Sequence, residues 1–196
     1  SLHGGAIGFD KKFWDAKIIS DGDEPEIEFS YLSPDGEENY PGNLSIKCTY
    51  KLTLDAGLSI RYTATTDKTT IVNITNHSYF NLAGYSSGTV KEQILWLDAD
   101  RILESDENLN PTGNFIDITD TAYDFRVAKA IGRDFNSEPS MDKQNGGYDN
   151  NFVIRDYNGD DVPKKVARVV GDKSGIILTC ESTLPGVQLY TENSIE

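Results

Sequence analysis

The stretch Leu44-Ser45-Ile46-Lys47-Cys48-Thr49-Tyr50-Lys51-Leu52-Thr53-Leu54 decides the fold class. Its apolar side chains occupy every second position and its polar ones every position between. A period of two puts one face of an extended strand on a core and the other in water. After Asp55-Ala56-Gly57 the alternation resumes as Leu58, Ile60, Tyr62 and Ala64 against Ser59, Arg61, Thr63 and Thr65, so the two runs predict an antiparallel hairpin. A slip of one residue would turn both apolar faces outward, which fixes the register.

Working outward, Ile27, Phe29 and Tyr31 alternate with Glu28 and Ser30 between the turn signals Asp21-Gly22-Asp23 and Ser33-Pro34-Asp35-Gly36. Further strands are expected over 69–75, 93–99, 151–155, 165–170, 176–181 and 186–191. Only 127–135 hints at a helix. Many short strands divided by Gly, Pro, Asn and Asp predict an all-β, antiparallel sandwich instead of alternating strands and helices. No repeat, linker or low-complexity run marks a second domain, so 1–196 reads as a single domain.

The chain has 32 acidic and 18 basic residues, a formal charge of -14. That charge repels phosphate backbones and anionic lipid surfaces, so neither nucleic acid nor a membrane is an expected partner. No apolar run approaches the ~20 residues of a membrane span. Cys48 and Cys180 sit far apart in alternating runs, which favours buried free thiols over a disulfide and a reducing, cytoplasmic setting. Asn43, Asn73 and Asn76 begin Asn-X-Ser/Thr triplets, which carry little weight without a secretory signal. The chain opens on Ser1 without a methionine and ends on Thr191-Glu192-Asn193-Ser194-Ile195-Glu196 directly after a strand-like run, and so reads as a cut segment.

His3 and His77 are the two histidines of the chain. His3 precedes Gly4-Gly5, a pair that permits positive φ or close backbone approach. His77 stands at the end of the expected strand over 69–75, beside Asn76, Ser78, Tyr79 and Asn81, partners of the kind that recognise hydroxyl-rich ligands. Spacing alone favours a hydrogen-bonded structural histidine. The combination with other motifs goes further. Thr75-Asn76-His77-Ser78-Tyr79-Phe80-Asn81-Leu82 resembles the most characteristic stretch of the galactose mutarotase (aldose 1-epimerase) family. Leu2-His3-Gly4-Gly5 with Gly8-Phe9-Asp10-Lys11, Tyr40-Pro41-Gly42, Asn110-Pro111-Thr112-Gly113, Tyr123-Asp124-Phe125-Arg126, Gly147-Tyr148-Asp149-Asn150-Asn151-Phe152 and Leu184-Pro185-Gly186-Val187-Gln188-Leu189-Tyr190-Thr191 follow in the family's order. The resemblance therefore runs the length of the chain.

The resemblance implies a large β-sandwich with an open cleft on one sheet, incomplete here at both ends. It implies an isomerase that interconverts the α and β anomers of free hexoses such as galactose and glucose, monomeric or weakly dimeric, with neither metal nor cofactor. His77 would be the general acid at the ring oxygen, and His3 would contact the sugar and hold that geometry. Asn76, Asp149 and Gln188 would bind sugar hydroxyls. The family's glutamate base normally lies beyond the Gln188 strand, and Glu192 and Glu196 come too early to match it, so the base is expected outside this chain. The 196-residue segment by itself should then be inactive or poorly folded. Asn150 stands where relatives often carry histidine, and is expected to adjust sugar or solvent contacts. Read without the family, Asp149 is a turn aspartate after Asn145-Gly146-Gly147, and Gln188 an outward residue of a strand. Alternative readings are a non-catalytic sugar-binding sandwich, a hexose-6-phosphate 1-epimerase, which would need clustered Arg or Lys, and a purely structural sandwich.

Overall fold

The computed structural model describes residues 3–135, 137 and 146–191 and divides into two compact units, Ser1–His77 and Ser78–Glu196. Among the described residues every strand pair is antiparallel. The expected all-β class is what the chain adopts.

The first unit is one meandering sheet in the order β1 (Asp15–Ser20), β2 (Glu26–Ser33), β3 (Leu44–Leu52), β4 (Leu58–Thr66). Its register carries out the alternation of the sequence. Cys48 faces Phe29 on one side and Tyr62 on the other, and Ile46 faces Tyr31 and Ala64. Cross-strand partners share a face, so these residues form one apolar surface on which Leu44, Ile46 and Cys48 are buried. On the opposite face Lys47 pairs with Glu28 at 3.0 Å. The hairpin loop closes through the Thr53 amide to the Gly57 carbonyl at 2.9 Å, with Ala56 in the left-handed region at φ 63°.

The second unit holds two four-stranded sheets. One runs β11 (Ile177–Ser182), β10 (Lys164–Val170), β5 (Ile94–Leu97), β8 (Lys129–Ala130); the other runs β12 (Gly186–Tyr190), β9 (Asp149–Ile154), β6 (Ala99–Ser105), β7 (Pro111–Asp117). Leu95, Leu97 and Val166 of the first sheet share one core with Ile102, Phe152 and Ile154 of the second. Phe125 packs edge-on against Tyr148 (5.2 Å between ring centroids) and Phe152 (6.3 Å) at the centre of that core.

Four expectations need correction. The strand expected over 69–75 does not form: the segment is irregular and mostly exposed, with Ile71 at 77%. Its β-branched residues favour extension, but among the described residues no neighbouring strand offers a ladder, and a lone strand is not stable. His77 consequently follows an irregular segment, not a strand. The single strand expected over 93–99 is two, because the chain changes sheets at Asp98, where the Arg155 guanidinium donates to the carboxylate at 2.7 Å from Nε. The helical hint over 127–135 is a two-residue strand followed by a 3-10 turn, Ile131–Asp134. Lys129 there is buried, donating to the Ala122 carbonyl (2.6 Å) and pairing with Asp134 (2.7 Å). Strands β1 and β7 were not expected, since both are exposed and carry no alternating burial.

Candidate functional site

In the first unit the two histidines meet. The His3 and His77 rings lie edge to face, 5.2 Å between centroids and 64° between planes. His3 adopts a left-handed backbone (φ 55°), and Gly4 and Gly5 continue at φ 92° and 111°. Glycine suits that path because a Cβ at such angles is strained. At Gly5 an added Cβ would also collide with the Glu38 carboxylate, which would have to shift.

Asn76, adjacent to His77, donates from Nδ2 to the Tyr50 hydroxyl at 3.2 Å. Tyr50 comes from the apolar face of β3. Burial and a hydrogen bond with the Cys48 thiol raise its phenol above the usual range, and burial raises Tyr62 likewise, so both hydroxyls stay protonated near neutrality. Tyr50 reads from sequence as a core residue, and its polar end was missed; tyrosine on a buried strand face regularly finds such a partner.

A second missed pair is Glu37 and Glu38, which follow the turn Ser33-Pro34-Asp35-Gly36. Glu37 accepts from Lys12 Nζ (2.6 Å), the Tyr31 hydroxyl (2.8 Å) and Ser33 Oγ (2.6 Å). Burial pushes its carboxyl up, but Lys12, Ser33 and Tyr31 outweigh that and hold it below the usual carboxylate range. Glu38 accepts from the amides of Ala6 (2.8 Å) and Ile7 (3.1 Å).

In the second unit Asp149 opens β9 and Gln188 lies on β12. Asp149 faces Tyr190 across the ladder and Asn151 faces Gln188. These four share one face, where Gln188 Nε2 donates to Asp149 Oδ1 at 2.8 Å. The Tyr79 ring lies tilted against Tyr190, 5.9 Å between centroids and 55° between planes. A carboxylate that accepts beside an amide that donates and accepts is a surface for neighbouring hydroxyls. Asn150 points to the opposite face, opposite Leu189 and next to core Phe152, with its Oδ1 accepting from the Asp149 amide at 3.3 Å. Asn150 therefore does not share the face of Asp149 and Gln188, since neighbours on a strand face opposite ways.

Asn81 of the Asn76–Asn81 motif is a loop hub. It accepts from Gln93 Nε2 (2.8 Å) and the Ala83 amide (3.0 Å) and donates to the Gly88 carbonyl (2.9 Å). Among the described residues no group of three His, Cys, Asp or Glu could hold a metal ion, and no helix is long and apolar enough to cross a membrane. Glu192 and Glu196, like Leu2 and Asn145, lie outside the described residues.

An antiparallel all-β chain with a histidine pair on one unit and a polar Asp149–Gln188 face on the other is compatible with the class of carbohydrate-active sandwiches. The aldose 1-epimerase family model matches residues 1–196, and the chain belongs to that family. It is 41% identical over 197 residues to the galactose mutarotase of Homo sapiens and 38% identical over 192 residues to the aldose 1-epimerase of Escherichia coli. These alignments cover 100% and 98% of this chain and 54% of each relative, so the chain spans about half the length of the curated relatives it matches. Among solved structures, the galactose 1-epimerase of Lactobacillus acidophilus superposes with a TM-score of 0.84 at 31% identity, covering 99% of this chain and 55% of that one. The GalM/aldose epimerase homologue of C. elegans gives 0.81 at 29% identity, covering 99% and 56%.

Proposed function

We propose that the full-length protein carrying this chain is an aldose 1-epimerase that interconverts the α and β anomers of free hexoses such as galactose and glucose. The observation that carries the reading is the meeting of His3 and His77, the two histidines that fall on separate family motifs and whose rings lie 5.2 Å apart. The family match running through both units supports reading 1–196 as part of one aldose 1-epimerase domain.

Opening a cyclic hemiacetal needs a proton to arrive at the ring oxygen as another leaves the anomeric hydroxyl. The C1–O5 bond then breaks and an aldehyde forms. Rotation about C1–C2 presents the other aldehyde face to the C5 hydroxyl, which adds back as the proton transfers reverse. Histidine suits the first transfer because its ordinary titration range lies near neutrality, so it can give and retake a proton. His77 is assigned that task. His3, against its ring, contacts the sugar and restricts the His77 imidazole to a productive angle. Asn76, steered by Tyr50, and the Asp149–Gln188 pair bind hydroxyls and orient the ring. The complementary base is a carboxylate supplied from outside this chain. Each step is a proton transfer, the breaking or remaking of the C1–O5 bond, or a rotation, so the reaction balances without an oxidant or a covalent adduct.

Polarimetry of freshly dissolved α-D-galactose and α-D-glucose with the full-length protein tests the reading. Wild type should speed the decay of rotation, and His77→Ala should slow it by about 100- to 10,000-fold. Sugar binding without acceleration by the wild type would replace the epimerase with a binding protein.

A further inference from the structure

We propose that Glu38 is a positioning residue that fixes His3 against His77, a role that rests on the proposed acid function of that pair. Residues 3–8 form a small closed loop. The His3 carbonyl lies against Gly8, where an added Cβ would meet it at 3.0 Å, and Gly5, Ala6 and Ile7 form the far side. Among the described residues that far side is gripped by Glu38. One carboxylate oxygen accepts from the Ala6 amide at 2.8 Å and the other from the Ile7 amide at 3.1 Å. Two parallel charge-assisted bonds fix an angle as well as a distance, and the same carboxylate lies on the bare backbone of Gly5.

The grip is rigid because its base is rigid. Glu38 and Asn39 both occupy the left-handed region, at φ 48° and 71°. A non-glycine pair holds such angles when its surroundings over-determine them, and such strain gathers where geometry matters. Here the turn is closed by the Gly36 amide on the Tyr40 carbonyl (2.9 Å) and the Tyr40 amide on the Glu37 carbonyl (2.9 Å). Glu37 locks the turn to β2 through Tyr31 and Ser33, and to the far end of the His3 segment through Lys12. The adjacent glutamates therefore divide one task. Glu37 ties down the end of the segment, and Glu38 sets the loop that aims His3.

The test uses the full-length protein with histidine ring carbons labelled, the His3 signals being assigned by His3→Gln. In Glu38→Ala the His3 ring signals should move toward their positions in His77→Ala, because the neighbouring ring's current is lost. The thermal midpoint should change by only a few degrees. Mutarotation should show kcat lowered about 10- to 100-fold with a smaller change in KM. Glu38→Gln, which keeps one acceptor oxygen, should recover part of both. Gly5→Ala should copy Glu38→Ala in a wild-type background and cost less when added to it. Unmoved His3 signals in Glu38→Ala, or a kcat equal to wild type, would overturn the assignment. If Glu38→Ala does not fold, Glu38→Gln and Gly5→Ala carry the same measurements. A wild type without mutarotation would sink the epimerase reading, while the His3 signals would still decide the grip.

Discussion

The two units solve the same problem, a stable antiparallel sheet, by different means. The second unit faces two sheets onto a shared core, where Phe125, Tyr148 and Phe152 are fully enclosed. The first unit is one sheet whose buried apolar side chains among the described residues, Leu44, Ile46 and Cys48, lie on a single strand, β3. What fixes its irregular parts is polar: Glu37 and Glu38 on the His3 segment, Asn76 on Tyr50. Close packing resists deformation in every direction, whereas a hydrogen bond fixes one direction and adds only modestly to net stability. The difference teaches that stability and aim can be built separately, with the core holding one set of elements and tethers directing the histidines.

Truncating the same side chain in each unit should sharpen that contrast most. Phe125→Ala, at full burial, should cost about 3–5 kcal/mol, and half-buried Phe29→Ala about 1–2 kcal/mol, both read from urea midpoints at unchanged slope. Equal losses would break the contrast.

A smaller effect comes from acid. The Arg126 side chain donates twice to the Asp124 carboxylate, from Nε at 2.9 Å and Nη2 at 2.6 Å, and holds its pKa down at about 2. A carboxyl depressed on folding stabilises above its unfolded pKa and loses that contribution as pH falls through the folded value. Asp124 should thus contribute about 2 kcal/mol at neutral pH, lost progressively between about pH 5 and pH 2. Asp124→Asn should lower stability at pH 7 and flatten the acid limb of the stability curve. An acid limb as steep as wild type would assign the loss to other carboxylates.

The smallest effect lies in the hairpin of the first unit. Ala56 holds φ 63° in a loop where a residue without a Cβ is unstrained. Ala56→Gly should raise stability by about 0.5 kcal/mol, the relief slightly exceeding the added freedom of the unfolded chain. A loss of stability would mean that the Ala56 methyl makes contacts worth more than the strain.

How far the sequence discloses this molecule depends on whether each signal is local. The hairpin of β3 and β4 is legible because its alternation is unbroken and its register follows from the apolar face. The segment over 69–75 has the same β-branched composition and still forms no strand, since a strand is a relation between two segments and only one is visible in a window. Strand β7 is hidden for the converse reason: Pro111, Gly113 and Asn114 look like loop chemistry, yet the segment pairs with β6. At the candidate site, His3, His77, Asp149 and Gln188 stand out because they fall on motifs. The structure brings each pair together, His3 with His77 and Asp149 with Gln188. Glu38 is silent in the sequence, because a glutamate in a turn looks like a solvated charge and its partners are backbone amides more than 30 positions earlier.

The central claim is that the histidine pair moves the proton while the Asp149–Gln188 face holds the sugar. Steady-state polarimetry of the full-length protein with His77→Gln and Gln188→Ala side by side tests it directly. The account predicts that His77→Gln lowers kcat by at least about 100-fold with KM nearly unchanged, and that Gln188→Ala chiefly raises KM. A His77→Gln variant that keeps kcat and loses only affinity would contradict it.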